Sequence, residues 1–159
     1  MIQRIQSLYL LAVFLIGLFV FFINPTYATF KSANARQEVK LGYVKTTYQV
    51  ADAAAGGPHT VSKYLNYLII ASLSLGALAA IFLFKKTDLQ KKICIYLSLL
   101  GVLFILIMFL EYNEQLKQNL PGSLGIGAVF PVLFITGTAL AWKNIRADEN
   151  LLKSMDRIR

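Results

Sequence analysis

Four long stretches of this chain are almost empty of ionisable side chains. Met1–Ile23 carries only Arg4, and residues 64–84, 93–110 and 124–142 contain no Asp, Glu, Lys, Arg or His. Ion- and proton-coupled carriers hold titratable groups at membrane depth, so this lack argues against ion-coupled transport by the chain alone. The single cysteine, Cys94, permits neither an internal disulfide nor a thiolate metal cluster. That removes the quinone-linked disulfide enzymes and leaves Cys94 as a small apolar residue at the head of a hydrophobic run. His59 is the only histidine; a metal site there would need Asp52 and Glu38, so an exposed imidazole in a loop is expected instead. There is no phosphate-cradling glycine loop, nucleophile elbow or helical metal motif. No catalytic residue, cofactor or metal is therefore expected.

Apolar length is what the sequence has in place of charge. Of 159 residues, 57% are hydrophobic and 15% charged, against about a quarter charged in soluble domains. The run ICIYLSLLGVLFILIMFL, residues 93–110, is apolar on every side and long enough to cross a bilayer as a helix. Three further runs give an all-α membrane protein, a four-helix transmembrane bundle with spans near 5–23, 64–84, 93–111 and 124–142. The first run exceeds a signal-peptide core in length, so it reads as a span even though Thr26-Tyr27-Ala28 resembles a cleavage pattern. Asn24-Pro25 should end it, because proline disfavours helix at the residue before it. Pro131, with Gly125 and Gly127, should kink the outer half of the fourth span. Residues 1–159 form one membrane domain.

The formal charge of +8 sits beside the hydrophobic runs. Ten Lys and Arg fall on one side of the predicted bilayer and six on the other; in the short loops the ratio is four to one. The positive-inside rule then puts both termini of a multi-pass inner-membrane protein in the cytoplasm. Asp148, Glu149 and Asp156 dilute the basic tail, so nucleic acid is not an expected partner. Membrane lipids and other inner-membrane proteins are.

Two appendages flank the spans. The outer loop, residues 24–62, carries EVKLGYVKTTYQV at 38–50, where Val39 and Leu41 alternate with Lys40 and the apolar parity changes near Lys45. That predicts strands with a bulge or turn there, and Tyr27–Ser32 could pair with them in a small antiparallel sheet. Residues 53–59, AAAGGPH, read as a linker. The tail, residues 143–159, continues span four as a cytoplasmic helix with a thin stripe of Ile145, Leu152, Met155 and Ile158. Glu149–Lys153 and Asp156–Arg159 suit intrahelical ion pairs.

Within the spans, Ser72, Gly76 and Ala80 form one small-residue face, and Gly137 with Ala141 a second. Such faces let helix backbones approach and read as packing seams. Glu111 and Glu114, at i,i+3, could share a helical face as an acid–base pair, but at a span's end they read first as capping charges. Arg4 at one cytoplasmic end, and Arg146, Asp148, Glu149, Leu152, Met155, Asp156 and Arg157 at the other, are the expected partner-docking residues.

MIQRIQSLYLL at the start and IRADENLLKSMDRIR at the finish, with four spans and a long first outer loop between, resemble an uncharacterised Bacteroidota membrane-protein family, domain of unknown function 4293. The resemblance implies a Gram-negative inner membrane and a four-span bundle, and carries no activity to transfer. The expected function is a non-enzymatic accessory or scaffold subunit of an inner-membrane complex, docking through the tail and the β-rich loop. The alternative is a small oligomeric transporter or lipid-handling protein with a cavity near Pro131.

Overall fold

The computed structural model describes residues 3–32, 37–50, 58–84, 86–117 and 120–156. The central apolar run lies in a helix longer than its hydropathy requires. This helix, α3, covers Thr87–Leu116, past both ends of the predicted span. Asp88 in its first turn complements the helix dipole, and no breaker follows before Pro121. The other helices are α1 (Gln3–Ile23), α2 (Tyr64–Phe82) and α4 (Phe130–Asp156). α1 and α3 each pack against both α2 and α4, so the four close into a ring of neighbours. All four are long and apolar enough to cross a membrane. Their outward faces carry Leu8, Phe22, Leu68, Phe82 and Leu110, each more than half exposed. A belt of that extent suits hydrocarbon and would be an association hazard in water.

One glycine stands at each of the four helix seams. A Cβ at Gly17 of α1 would strike the Ser74 side chain of α2; at Gly76 of α2, Leu97 of α3; at Gly101 of α3, Ile135 of α4; and at Gly137 of α4, Val13 of α1. Such points bring helix backbones into close van der Waals contact, the kind of packing that helices apolar on every side depend on. Ala80 and Ala141 are fully buried in a cluster with Leu10, Cys94 and Ile145. Ser72 instead turns back onto its own helix, donating to the Ile69 carbonyl at 2.9 Å. Ser98 and Thr138 join α3 to α4 at 2.9 Å, a contact worth about 0.6 kcal/mol in a membrane interior.

Among the described residues, five antiparallel strands form one sheet in the order β4-β3-β2-β1-β5. They are β1 (Thr26–Lys31), β2 (Gln37–Gly42), β3 (Lys45–Val50), β4 (His59–Ser62) and β5 (Gly122–Leu124). The predicted parity change is a turn: Tyr43 and Val44 link β2 to β3. The ladder is larger than expected in two places. His59 opens strand β4 rather than closing a linker, although it remains exposed; residues 53–57 lie outside the described residues. β5 comes from the connection between α3 and α4, which brings that distant segment against β1.

Pro131 marks the start of α4 rather than a point within an α-helix. A 3₁₀ turn at Ile126–Val129 precedes α4, and Pro131 falls in the first turn of the α-helix, where its missing N–H leaves no helical bond unmade. Asn24 ends α1 as predicted and also fixes the sheet. Its φ of 49° is a conformation asparagine tolerates, and its Oδ1 accepts from the backbone N–H of Val44 at 2.7 Å and of Lys45 at 3.3 Å. A Cβ at Gly42 would collide with that same side chain and with the Lys45 carbonyl, so the turn closes only around glycine.

Candidate functional site

A closed polar cluster joins the sheet to the bundle. Lys63, just ahead of α2, donates to Glu111 Oε2 at 2.6 Å, to the Gly42 carbonyl at 3.2 Å and to the Tyr27 hydroxyl at 3.3 Å. An ammonium has three N–H donors, and all three have acceptors here. The Tyr27 hydroxyl donates to Glu111 Oε2, and Asn66 Nδ2 donates to Glu111 Oε1 at 3.1 Å. The Lys63 and Glu111 side chains are only 14% and 24% exposed. Burial pushes Lys63 below lysine's ordinary range, and Glu111 opposes that shift. Burial, followed by the Glu111 carboxylate, holds the Tyr27 phenol far above its usual range. With every donor engaged, Lys63 is placed to brace the sheet rather than to attack a substrate.

Tyr43 extends the junction inward. Its ring stacks on Phe104 with centroids 5.5 Å apart, and its hydroxyl donates to the Gly127 carbonyl. Gly127 lies so close to β1 that a Cβ would sit 2.4 Å from the Thr26 carbonyl oxygen. The Gly125 N–H also donates to the Tyr27 carbonyl at 2.8 Å, so the 3₁₀ turn is bound to the sheet from both directions.

At the opposite end of the bundle, the first part of α1 meets the distal half of α4. Gln6 donates to Asp148, and Lys91 of α3 reaches Glu149 at 2.5 Å and Asp88 at 2.9 Å. Those two carboxylates raise the Lys91 pKa through hydrogen bonds, Asp88 first. Asp148 and Glu149, predicted to face a partner, thus bond within the chain. Lys91 reaches Glu149 across helices because α3 begins early enough to present it; the Lys153 side chain of the predicted intrahelical pair lies outside the described residues. Arg146 is exposed with its guanidinium 5.5 Å from the Trp142 ring. Arg4 lies in α1, and Leu152, Met155 and Asp156 lie in α4; their side chains are outside the description, as is all of Arg157.

Glu111 and Glu114 do not act as a pair. Glu111 turns into the junction, whereas Glu114 is exposed beside Asn113 and Lys117. Nor do Glu38 and His59 converge. The register Val39↔Tyr48↔His59 puts His59 on the face opposite Glu38, and Asp52 is not among the described residues. Lys63 and Asn66 were missed as members of a site. A coarse signal existed: a short connection makes α2 and α3 antiparallel neighbours, and Lys63 and Glu111 both fall toward the far end of their helices from it.

An apolar groove of about 290 Å³ runs beside this junction between α3 and the start of α4. Ile105, Met108, Phe109 and Tyr112 form one wall, Ala128, Pro131 and Val132 the other, and Leu124 and Tyr27 complete it. Holding the 3₁₀ turn on β1 keeps the two helices apart here.

Comparison with known proteins adds one match. The family model described as Domain of unknown function (DUF4293) covers residues 2–158. No curated protein matches the chain.

Proposed function

The chain belongs to the DUF4293 family, and we propose that it is a non-enzymatic accessory or scaffold subunit of a larger inner-membrane complex. On this reading the four apolar helices cross the inner membrane of a Gram-negative, Bacteroidota-type cell, with both ends cytoplasmic. The lysine bias around the spans supports that orientation. The observation that carries the reading is the braced sheet. A part-buried ion pair, two phenols and a glycine contact fix five strands to the bundle, while Lys31, Lys40, Thr47 and Gln49 leave its other face polar. Such rigidity is what a docking platform requires, since ordering a loose loop on binding would weaken attachment. At the cytoplasmic end, Asp148 and Glu149 bond to α1 and α3, and on this reading Arg4, Arg146, Leu152, Met155, Asp156 and Arg157 supply the contact surface. Purification in mild detergent after crosslinking in native membranes should recover a stoichiometric inner-membrane partner. Removing residues 150–159 should release it. A chain that runs alone under both conditions refutes the proposal.

The groove supports a second reading, a lipid-handling protein that works as an oligomer. It lies against Pro131, where that reading expects a lipid-filled space. Transfer of labelled phospholipid between the leaflets of proteoliposomes, above that of empty vesicles, would favour this reading over the first.

A further inference from the structure

We infer that the groove between α3 and α4 holds one acyl chain of a bilayer phospholipid as a bound component of the fold. The inference rests on the reading of this chain as membrane-spanning, and it gives the lipid-handling alternative a defined site. Three observations support it.

First, the groove cannot close by collapse. Its far wall begins in the 3₁₀ turn, which the Gly125–Tyr27 backbone bond and the contact of Gly127 with Thr26 hold on the sheet. Its near wall is the uninterrupted helix α3. An unfilled groove between fixed walls forfeits dispersion contacts along its whole lining, so a filler is favoured.

Second, its mouth opens onto hydrocarbon. Leu124, Phe109 and Val132 line it and are 69%, 60% and 54% exposed, and neighbouring Ile126 is 85% exposed. Among the described residues, no charged side chain lines it. An extended peptide entering there would leave its backbone polar groups unpaired, whereas a hydrocarbon chain has none to pair.

Third, the size fits a segment of one chain. From Ile105 to Tyr112 the α3 wall is about 10 Å long at 1.5 Å per residue. The volume of about 290 Å³ is close to twice that of an apolar cavity of about 150 Å³ that accepts benzene. Tyr112 and Leu124 belong to the segments at the sheet end of the groove, so a chain would lie with its free end toward the middle of the bundle.

The test uses the full chain in proteoliposomes of phosphatidylethanolamine and phosphatidylglycerol, with a trace of phosphatidylcholine bearing a diazirine on one acyl chain. Photolysis followed by peptide mapping should concentrate label on residues 105–112 and 128–132, above the level on the outward faces at Leu8, Phe22 and Leu68. Ala128→Trp, which fills the groove, should lower that excess to the level of those faces. If that variant does not fold, Ile105→Trp blocks from the other wall. Native mass spectrometry should retain one phospholipid on the unmodified chain and lose it in the blocked one. Even labelling of every outward face, with no retained lipid, overturns the inference and leaves the membrane reading intact. Absence of label everywhere overturns both. A photoreactive residue at position 109 that captures another polypeptide in native membranes overturns the lipid assignment in favour of a protein occupant.

Discussion

Replacing Glu111 by glutamine removes one charge from the junction while keeping nearly the same shape. Tyr27 can still donate to the new amide oxygen, but Lys63 is left as an ammonium, 14% exposed, without a counter-ion. Breaking a buried pair from one side costs about 3–5 kcal/mol; with side chains 14% and 24% exposed, solvent relieves part of this, leaving about 2–3 kcal/mol. A chain of this size loses about 2–4 °C of melting temperature per kcal/mol, so Glu111→Gln should melt about 5–10 °C lower. Lys63→Met leaves the opposite orphan, a carboxylate that keeps Tyr27 and Asn66 as donors, and should cost somewhat less. The double variant has no buried charge and should recover about 2 kcal/mol relative to the sum of the single losses. Thermal unfolding of the four proteins in one detergent, followed by circular dichroism, measures this cycle. Single losses under about 1 °C, or strictly additive ones, would mean that the pair is solvated and braces nothing.

Three further outcomes follow from the same geometry. Gly127→Ala must displace the Thr26 backbone and should cost about 2–3 kcal/mol; proteolysis would then cut between β5 and α4 before the helices, whereas an uncut chain counts against the tight contact. Tyr27 and Tyr43 are both raised in pKa by burial, Tyr27 also by Glu111. Their neutral forms contribute stability in full below the unfolded value near pH 10, and the contribution fades as pH rises beyond it. Ultraviolet titration should therefore show two tyrosines that ionise only on unfolding, and Tyr43→Phe should remove one of them. Cys94 is fully buried, so a membrane-permeant maleimide should label it only after denaturation; labelling of the native bundle would show that the cluster around Leu10 and Ala141 opens.

The second predicted span and the helical tail were legible because hydropathy acts residue by residue. α2 ends close to its lysine-flanked boundary, and nothing in the sequence from Val132 to Asp156 breaks α4. Asn24-Pro25 was equally local as a helix stop. Pro131 misled for the opposite reason: a proline kinks a helix only from within it, and whether residues 124–129 were helical depended on β1 capturing them as strand and 3₁₀ turn. The same distant pairing created the groove. Glu149 also gains a partner outside its own helix, Lys91, which no pattern within the tail could show.

By itself, then, the sequence determined four apolar helices, a strand-forming insertion, and seams marked by small residues. These follow from transfer free energies and backbone preferences that each segment carries alone. Only the tertiary structure decided that Lys63, Tyr27, Asn66 and Glu111 share one buried cluster, and that Asp148 and Glu149 turn inward rather than outward. Charge pairing depends on distances of a few ångströms between segments far apart in the chain. No local preference encodes those distances, because the burial that makes a pair worth forming exists only once the helices have packed.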